Sequence, residues 1–454
     1  MNINTSTKLS NTHAVVVGLG LTGMSAVRYL RARGASVSVV DTRAKPPAID
    51  MLSNLHPEVA YTIGSDNLTI ERADMLVVSP GLSRKHPSIV AAEADWAKVV
   101  GDVQLYGEEA SWPNFLVTGS NGKTTATTLL GEIMRAAGKK VFVGGNIGTP
   151  VLDALLDGEP YSCAVLELSS FQLELIDAVP ATAAVVLNVT PDHMDRYATF
   201  ADYQEAKSRV YVDAERRVYW RDDPCLDGYL SPASADISFG LSPPVGSKDY
   251  GLRGKHNQFV CRGETNLLAV SELVIRGQHN VLNLMACWAM AEQAGVDDSV
   301  IVDVAKEFSG LPHRMQVVGE WAGVTWINDS KATNVGATTA ALTGLTSPTI
   351  LLAGGQGKGG DFELLNSVLS TSSVRLVILF GVDAESIAKH VSAVNTIVLA
   401  GMEEAVELAA NEATIGETVM LSPACASLDM FSGYEDRGNQ FIRAAKMNNP
   451  GEST

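Results

Sequence analysis

The stretch Val117-Thr-Gly-Ser-Asn-Gly-Lys-Thr-Thr125 decides the reading of this chain. Before it, Asn114-Phe-Leu-Val117 is an apolar run of strand length. After it, Leu129, Leu130, Ile133 and Met134 recur at helical spacing. A strand, a glycine turn and a helix in that order aim successive backbone N–H groups into a small concavity at a helix N-terminus, which suits a phosphate. Lys123 is then placed to reach the terminal phosphates, and a Thr hydroxyl to sit on Mg²⁺. The general phosphate-loop pattern has a further glycine where this chain has Val117, so the turn carries only Gly119 and Gly122.

A second glycine turn lies near the N-terminus. The short strand Ala14 to Val17 leads into Gly18-Leu-Gly-Leu-Thr-Gly23. A helical stretch then runs to Ala32 before Arg33-Gly34, and a second strand, Val37 to Val40, ends at Asp41. This is the opening of a βαβ unit. Its glycine turn requires only a diphosphate at a helix N-terminus, so a nicotinamide or flavin cofactor and a nucleotide sugar both satisfy it. Met75 to Val78 gives another strand, running into Ser79-Pro80-Gly81.

Three units follow from the pattern: residues 1–101, 102–309 and 310–454. In the second, apolar runs at Lys140 to Val143, Ala164 to Leu168 and Ala183 to Val189 alternate with helical patterns, which predicts a mainly parallel sheet. In the third, Thr325 to Ile327, Thr349 to Ala353, Leu376 to Phe380, Thr396 to Leu399 and Thr418 to Leu421 predict another open α/β sheet. Polar residues collect where these strands end, the side on which α/β proteins bind ligands.

Composition agrees with a globular chain of this size: 454 residues, 46% hydrophobic and 19% charged. The formal net charge of −17 argues against broad attraction to nucleic acid or anionic membrane. Five scattered cysteines show no metal-ligand spacing and fit a reducing cytoplasm. No apolar run approaches the roughly 20 residues of a membrane span. The polar N-terminus lacks a signal core, so the expectation is a cytoplasmic protein.

At the strand ends of the second unit, Glu167 is a natural hard ligand for Mg²⁺. His193 is a further candidate ligand. Lys207, within Phe200-Ala-Asp-Tyr-Gln-Glu-Ala-Lys207, reads from the residues alone as an exposed helical lysine. In the third unit Arg314, Lys331 and Lys358 bring positive charge to segment ends, where they suit an anionic substrate or the γ-phosphate.

Six motifs taken together resemble a known family. Thr118-Gly-Ser-Asn-Gly-Lys-Thr-Thr125, Asn188-Val-Thr-Pro-Asp-His193, Gly277-Gln-His-Asn280, Leu311-Pro-His-Arg314, Ile327-Asn-Asp-Ser-Lys-Ala-Thr-Asn334 and Ser422-Pro-Ala-Cys-Ala-Ser-Leu-Asp429 are similar to those of the Mur ligases of peptidoglycan synthesis, in order and over nearly the whole chain. The last two are the more specific. The resemblance implies three α/β domains: a Rossmann-like nucleotide-sugar domain, a central phosphate-loop ATPase domain, and a Rossmann-like C-terminal domain. It implies ATP, Mg²⁺ at two sites, and addition of D-glutamate to UDP-N-acetylmuramoyl-L-alanine by a monomer. The alternatives are a sister Mur ligase with another amino acid and an enzyme like folylpolyglutamate synthase; the first hundred residues argue against the latter.

The resemblance also implies roles. Leu21, Thr22, Asp41, Thr42, Arg43 and Gly81 would hold the UDP group. Gly119, Ser120, Asn121, Gly122, Lys123, Thr124 and Thr125 would form the ATP-phosphate loop, with Asn280, Asn283, Arg314 and Asp329 also on ATP. Thr124, Glu167, His193 and Lys207 would form the magnesium region, Lys207 as a carbamate. Asn146, Gln172 and His193 would meet the muramoyl substrate. Lys331, Thr333, Lys358, Ser427 and Tyr434 would face D-glutamate, and Lys123, His193, Lys207 and Lys331 would act in catalysis. The chain departs from the family in having Tyr434 for the usual Phe, and Met315-Gln316 for Phe-Glu.

Overall fold

The computed structural model describes residues 9–226, 236–255, 257–275, 277–343, 345–357 and 361–449. Among them the strands form four sheets. The first is wholly parallel, in the spatial order Ala60–Ile63, Ser36–Asp41, His13–Val17, Met75–Val78, Lys98–Val100. Its inner strands read Val-Val-Val and Met-Leu-Val-Val because both faces are covered.

The second sheet is also parallel: Ile237–Phe239, Arg217–Trp220, Ala183–Val186, Asn114–Thr118, Cys163–Glu167, Val141–Gly145. All five residues of Asn114–Thr118 are buried. The helix Lys123–Ala136 lays Ala126, Leu129, Leu130, Ile133 and Met134 on the sheet and on the helix Gln278–Gln293, which is buried nearly all round. A three-stranded antiparallel sheet, Tyr250–Arg253, Phe259–Arg262 and Thr265–Ala269, extends this unit. The third α/β sheet runs Gln316–Trp321, Val324–Asn328, Thr418–Leu421, Thr349–Gly354, Val374–Phe380, Asn395–Val398; only Gln316–Trp321 is antiparallel.

This order places the site. The phosphate-loop strand Asn114–Thr118 lies between Cys163–Glu167 and Ala183–Val186. Their carboxyl ends therefore deliver Glu167 on one side of the loop and the Asn188–His193 segment on the other. The predicted strand to Val189 stops at Val186, because the following residues turn to bond the phosphate loop: Ser120 N donates to Asn188 O at 2.9 Å.

Charged contacts fix the domains against one another. From the first helix, Leu21–Ala32, Arg28 meets Asp153 at 2.7 Å, Ser25 Oγ donates to the same carboxylate at 2.7 Å, and Tyr29 donates to Glu109 at 2.9 Å, with Arg33 on Glu109 as well. Such partly buried, multiply bonded pairs hold geometry better than isolated surface pairs. The third domain reaches the second through Arg314, whose Nη2 donates to Thr124 Oγ1 at 2.7 Å, and through Asn334, which donates to Asp192 at 3.1 Å and Asn121 at 3.4 Å.

Candidate active site

The phosphate loop is built by glycine geometry and by its neighbour. Gly122 has φ +82°, and a Cβ there would lie 2.7 Å from Asn283 Oδ1, so a side chain is excluded on two grounds. The Asn188–His193 segment is stitched to the loop. Asn188 accepts from Asn121 N at 2.9 Å and donates back to Asn121 O at 3.0 Å, while Ser120 Oγ donates to Thr190 O at 2.9 Å. The first-turn amides of the helix at Lys123, Thr124 and Thr125 have no partner within the helix, which is the physical basis of an anion site.

Lys123 Nζ lies 2.8 Å from Gly119 O and 2.9 Å from Ser120 O. Lys207 Nζ donates to the same Gly119 O at 2.8 Å and stands 4.7 Å from the centre of the Tyr203 ring. Lys207 therefore departs from the exposed lysine that its own segment predicts: it is 1% exposed. The helix Phe200–Ser208 carries it inward, started by a Thr199/Asp202 capping box and anchored by buried Tyr203. Burial first, and the Lys123 charge second, hold the Lys207 amine well below the usual lysine range. Lys123 is also lowered, by burial.

Glu167 is buried at its strand end. Its Oε1 accepts from Asn146 Nδ2 at 2.8 Å, while Oε2 is buried with no hydrogen-bond partner among the described residues. An orphaned carboxylate oxygen in such a place is costly unless something cationic meets it. Lys123, Arg314, Lys331 and Lys207 all sense its charge. The orphan oxygen fits a hard cation. Mg²⁺ takes few protein ligands and keeps water and phosphate oxygens, so the lack of any cluster of three or more His, Cys, Asp or Glu among the described residues is compatible with it.

His193 follows with φ +56°, its ring 4.8 Å from that of Phe171. Partial burial, then the charges of Lys123 and Lys207, hold it below the ordinary histidine value, against the pull of Asp192. Across the seam, Lys331 Nζ lies 3.8 Å over the Tyr434 ring; burial and the nearby Arg314 lower its amine to about 8. Asp329 accepts from Met315 N at 3.1 Å and Ser422 Oγ at 2.9 Å, and burial raises its carboxyl to about 7. Gln316, the other departure, accepts from His313 N at 3.0 Å and from Asn328 at 3.3 Å, so an amide here secures the turn before Arg314 and the strand after it.

A cavity of about 390 Å³ lies between the second and third domains, lined by Asn121, Gly122, Thr125, Asn280, Asn283, Arg314, Asp329 and Lys331, with Ile275, Leu282 and Leu311 as apolar walls; Lys123, Glu167, His193 and Lys207 are not part of its lining. Its size is that of a small-molecule site. Thr333 follows Lys331 and is half-buried, and Ser427 is buried in its turn. Gln172 is buried, with its amide oxygen accepting from Ser169 N and Oγ, each at 3.0 Å. Lys358 lies outside the described residues.

Leu21, Thr22, Thr42, Arg43 and Gly81 gather instead at the carboxyl edge of the first sheet, apart from that cavity. There Asp41 is buried, accepting from Leu19 N at 2.7 Å and from Arg43 N at 2.8 Å as well as from the guanidinium. Burial works to raise its pKa, but these bonds hold it below the ordinary carboxylate value. Its oxygens are thus taken by protein donors, and Arg43 is the charged group left facing solvent.

The sequence reading did not assign four residues that the structure brings into the region. Asn334 and Asp192 form the inter-domain bond. Arg196 contacts the first domain. His279 lines the cavity with Nδ1 buried and unpartnered among the described residues, and burial lowers its pKa to about 4. Asp192, Asn334 and His279 lie within the quoted motifs, which was their only sequence signal.

A phosphate loop, an orphaned carboxylate and convergent cations in the seam of two α/β domains fit a ligase that uses a nucleotide, and the chain belongs to the Mur ligase family. Family models match residues 12–101 as the MurD-like N-terminal domain, 117–291 as the Mur ligase middle domain and 313–425 as the Mur ligase glutamate ligase domain. Within the family it is similar to the proteins named UDP-N-acetylmuramoylalanine--D-glutamate ligase of Pseudomonas aeruginosa, 45% identical over 95% of this chain and 97% of that protein, and of Alcanivorax borkumensis, 43% identical over 95% and 97%. Among solved structures, MurF of Acinetobacter baumannii shares the fold at a TM-score of 0.63 and 16% identity, covering 96% of this chain and 90% of that one. MurF of Thermotoga maritima in complex with ADP shares it at 0.60 and 16%, covering 99% of each.

Proposed function

We propose that this chain forms the amide bond between D-glutamate and UDP-N-acetylmuramoyl-L-alanine, using ATP, as a cytoplasmic step of peptidoglycan precursor synthesis. The observation that carries the reading is full-length similarity to relatives bearing that name, at 42–45% identity over 94–96% of the chain. No helix among the described residues is long and apolar enough to cross a membrane.

A carboxylate and an amine do not condense readily in water, because the oxygen to be lost is a poor leaving group. The L-alanyl carboxylate oxygen attacks the γ-phosphorus, the bond to the β-phosphate oxygen breaks, and ADP leaves. The amine of D-glutamate then attacks the acyl carbon and gives up a proton, and inorganic phosphate departs from the tetrahedral intermediate. Lys123, Arg314 and Lys331 offset charge on the transferring group. His193, held neutral by its surroundings, is available to accept the amine's proton. Glu167, Thr124, His193 and a carbamate on Lys207 would hold Mg²⁺, at two sites, which supplies charge neutralisation at the phosphates. Asn280 and Asn283 face the nucleotide, and Asp329 fixes the turn that carries Arg314. Asn146 and Gln172 meet the muramoyl group.

The test is phosphate release by the purified chain. Release that requires ATP, UDP-N-acetylmuramoyl-L-alanine and D-glutamate together, with a product of the summed mass, is expected; dependence on a different amino acid overturns the substrate assignment.

Two further outcomes follow. Titration of the full chain with UDP should show binding at the Gly18–Gly23 turn, through Leu21, Thr22, Thr42, Arg43 and Gly81, whereas NAD should show none. The buried Asp41 leaves no free oxygen for the adenosine ribose of NAD. NAD binding without UDP binding reverses this assignment. D-Glutamate should also exceed D-glutamine in kcat/KM by on the order of 10³-fold, because Lys331, with Thr333, Lys358, Ser427 and Tyr434 about the amino acid, would face an unmatched neutral amide. Comparable values for the two would contradict a charge-selecting pocket.

A further inference from the structure

Arg196 occupies a place that neither the phosphate loop nor the cation cluster explains. It lies on the turn that begins at His193, its own N–H donating to His193 O at 2.9 Å. Its guanidinium crosses to the first domain. Nη1 donates to Pro80 O at 2.9 Å and Nη2 to Leu82 O at 3.2 Å, on either side of Gly81. Nη2 also pairs with Glu174 at 2.8 Å, and the side chain is only 13% exposed. The guanidinium carbon stands 3.9 Å over the Phe171 ring, the same ring that lies 4.8 Å from His193.

We propose that Arg196 is a positioning residue that couples the Gly81 turn, on the UDP-sugar side, to His193 beside the phosphate loop. The inference rests on the reaction proposed above. Binding of the nucleotide sugar against the Gly81 turn sets the Pro80 and Leu82 carbonyls. A planar guanidinium bonded to both is set with them, and through Phe171 and the shared turn so is the imidazole. A planar fork that bonds two carbonyls, pairs with a carboxylate and stacks on an aromatic ring is specific to arginine, since lysine offers a single point charge. Small misplacements of reacting groups cost large factors in rate, so a relay of this kind acts on turnover as well as on binding.

The experiment is steady-state kinetics of Arg196→Lys and Phe171→Leu with each substrate varied in turn, beside thermal melting and ATP titration. For Arg196→Lys the KM for the UDP-sugar substrate should rise about tenfold and kcat should fall about 10- to 100-fold. Its KM values for ATP and D-glutamate should be unchanged, with the melting temperature lowered by at most a few degrees. Phe171→Leu leaves the Pro80 and Leu82 bonds in place, so kcat should fall with the UDP-sugar KM unchanged. Unchanged kinetics in Arg196→Lys, or equal losses toward all three substrates accompanied by a lower melting temperature, overturn the coupling. A rise in the UDP-sugar KM of Phe171→Leu equal to that of Arg196→Lys overturns the route through the ring. Wild-type chain that fails to turn over would instead refute the proposed reaction.

Discussion

Lys123→Ala is expected to lower turnover by on the order of 10²-fold or more while the chain remains folded. The effect follows from where the amine is held. Its nitrogen lies on two carbonyl oxygens of the loop, Gly119 and Ser120, in a buried setting shared with the charges of Glu167 and Arg314. A cation already fixed at the phosphate loop needs no reorganisation when negative charge develops on the γ-phosphoryl oxygens, which is the condition under which such groups contribute most. Arg314 enters from the other domain and bonds Thr124, so it cannot take over the position without breaking the inter-domain contact. Alanine also leaves Ser120 O without this donor, while Gly119 O keeps that of Lys207, at a cost of about 1 kcal/mol in stability, so melting must be measured beside the rate. A folded variant that releases phosphate from ATP at a near-normal rate would remove Lys123 from the mechanism.

Much of this arrangement is readable before any coordinates. The strands that carry the site are apolar runs ended by polar turns, because each is buried on both faces in a parallel sheet. The phosphate loop announces itself by its glycines and by the helix that follows. The elements missed are short ones, too brief for a period to show although Val218, Phe239, Tyr250 and Val260 are fully buried. Arg217–Trp220 and Ile237–Phe239 are four- and three-residue strands, and the Tyr250–Ala269 hairpins lie in a polar stretch. Gln316–Trp321 is an antiparallel edge strand broken by a register shift between Val317 and Gly319.

Within the site, chemistry was legible and environment was not. Glu167 reads as a hard ligand from its strand end, yet nothing local shows that one oxygen is bonded to Asn146 and the other orphaned. Lys207 is the sharper case. Its segment holds too few apolar residues to predict burial, and the carbonyl that accepts from it lies 88 residues away in sequence. The bond between Asn334 and Asp192 spans 142 residues and depends on how two domains dock.

That burial makes Lys207 the second decisive position. Two lysine nitrogens, from Lys123 and Lys207, lie on one carbonyl oxygen beside one carboxylate. Two ammonium ions there repel, and burial penalises both, so the environment favours a neutral amine at Lys207. A neutral amine adds to CO₂, its nitrogen forming the bond to carbon and losing one proton, to give a carbamate with a negative charge. With a carbamate there, the repulsion between Lys123 and Lys207 would become an attraction, and anionic oxygens would replace a cation in the region where Glu167 would meet Mg²⁺. Lys207→Ala is therefore expected to lose activity by on the order of 10²-fold, with partial recovery in added formate or acetate. Wild-type activity should fall in buffer stripped of CO₂. It should also fall as pH is lowered, since protons compete with CO₂ for the amine. The sign for stability is the same: with the folded pKa depressed, the unfolded chain binds the proton more readily, so lowering pH through the folded pKa destabilises the unmodified protein. ¹³C-bicarbonate labelling reads the modification directly. Full activity of Lys207→Ala, together with no carbamate signal in the wild type, would leave Lys207 as a buried structural amine on Gly119.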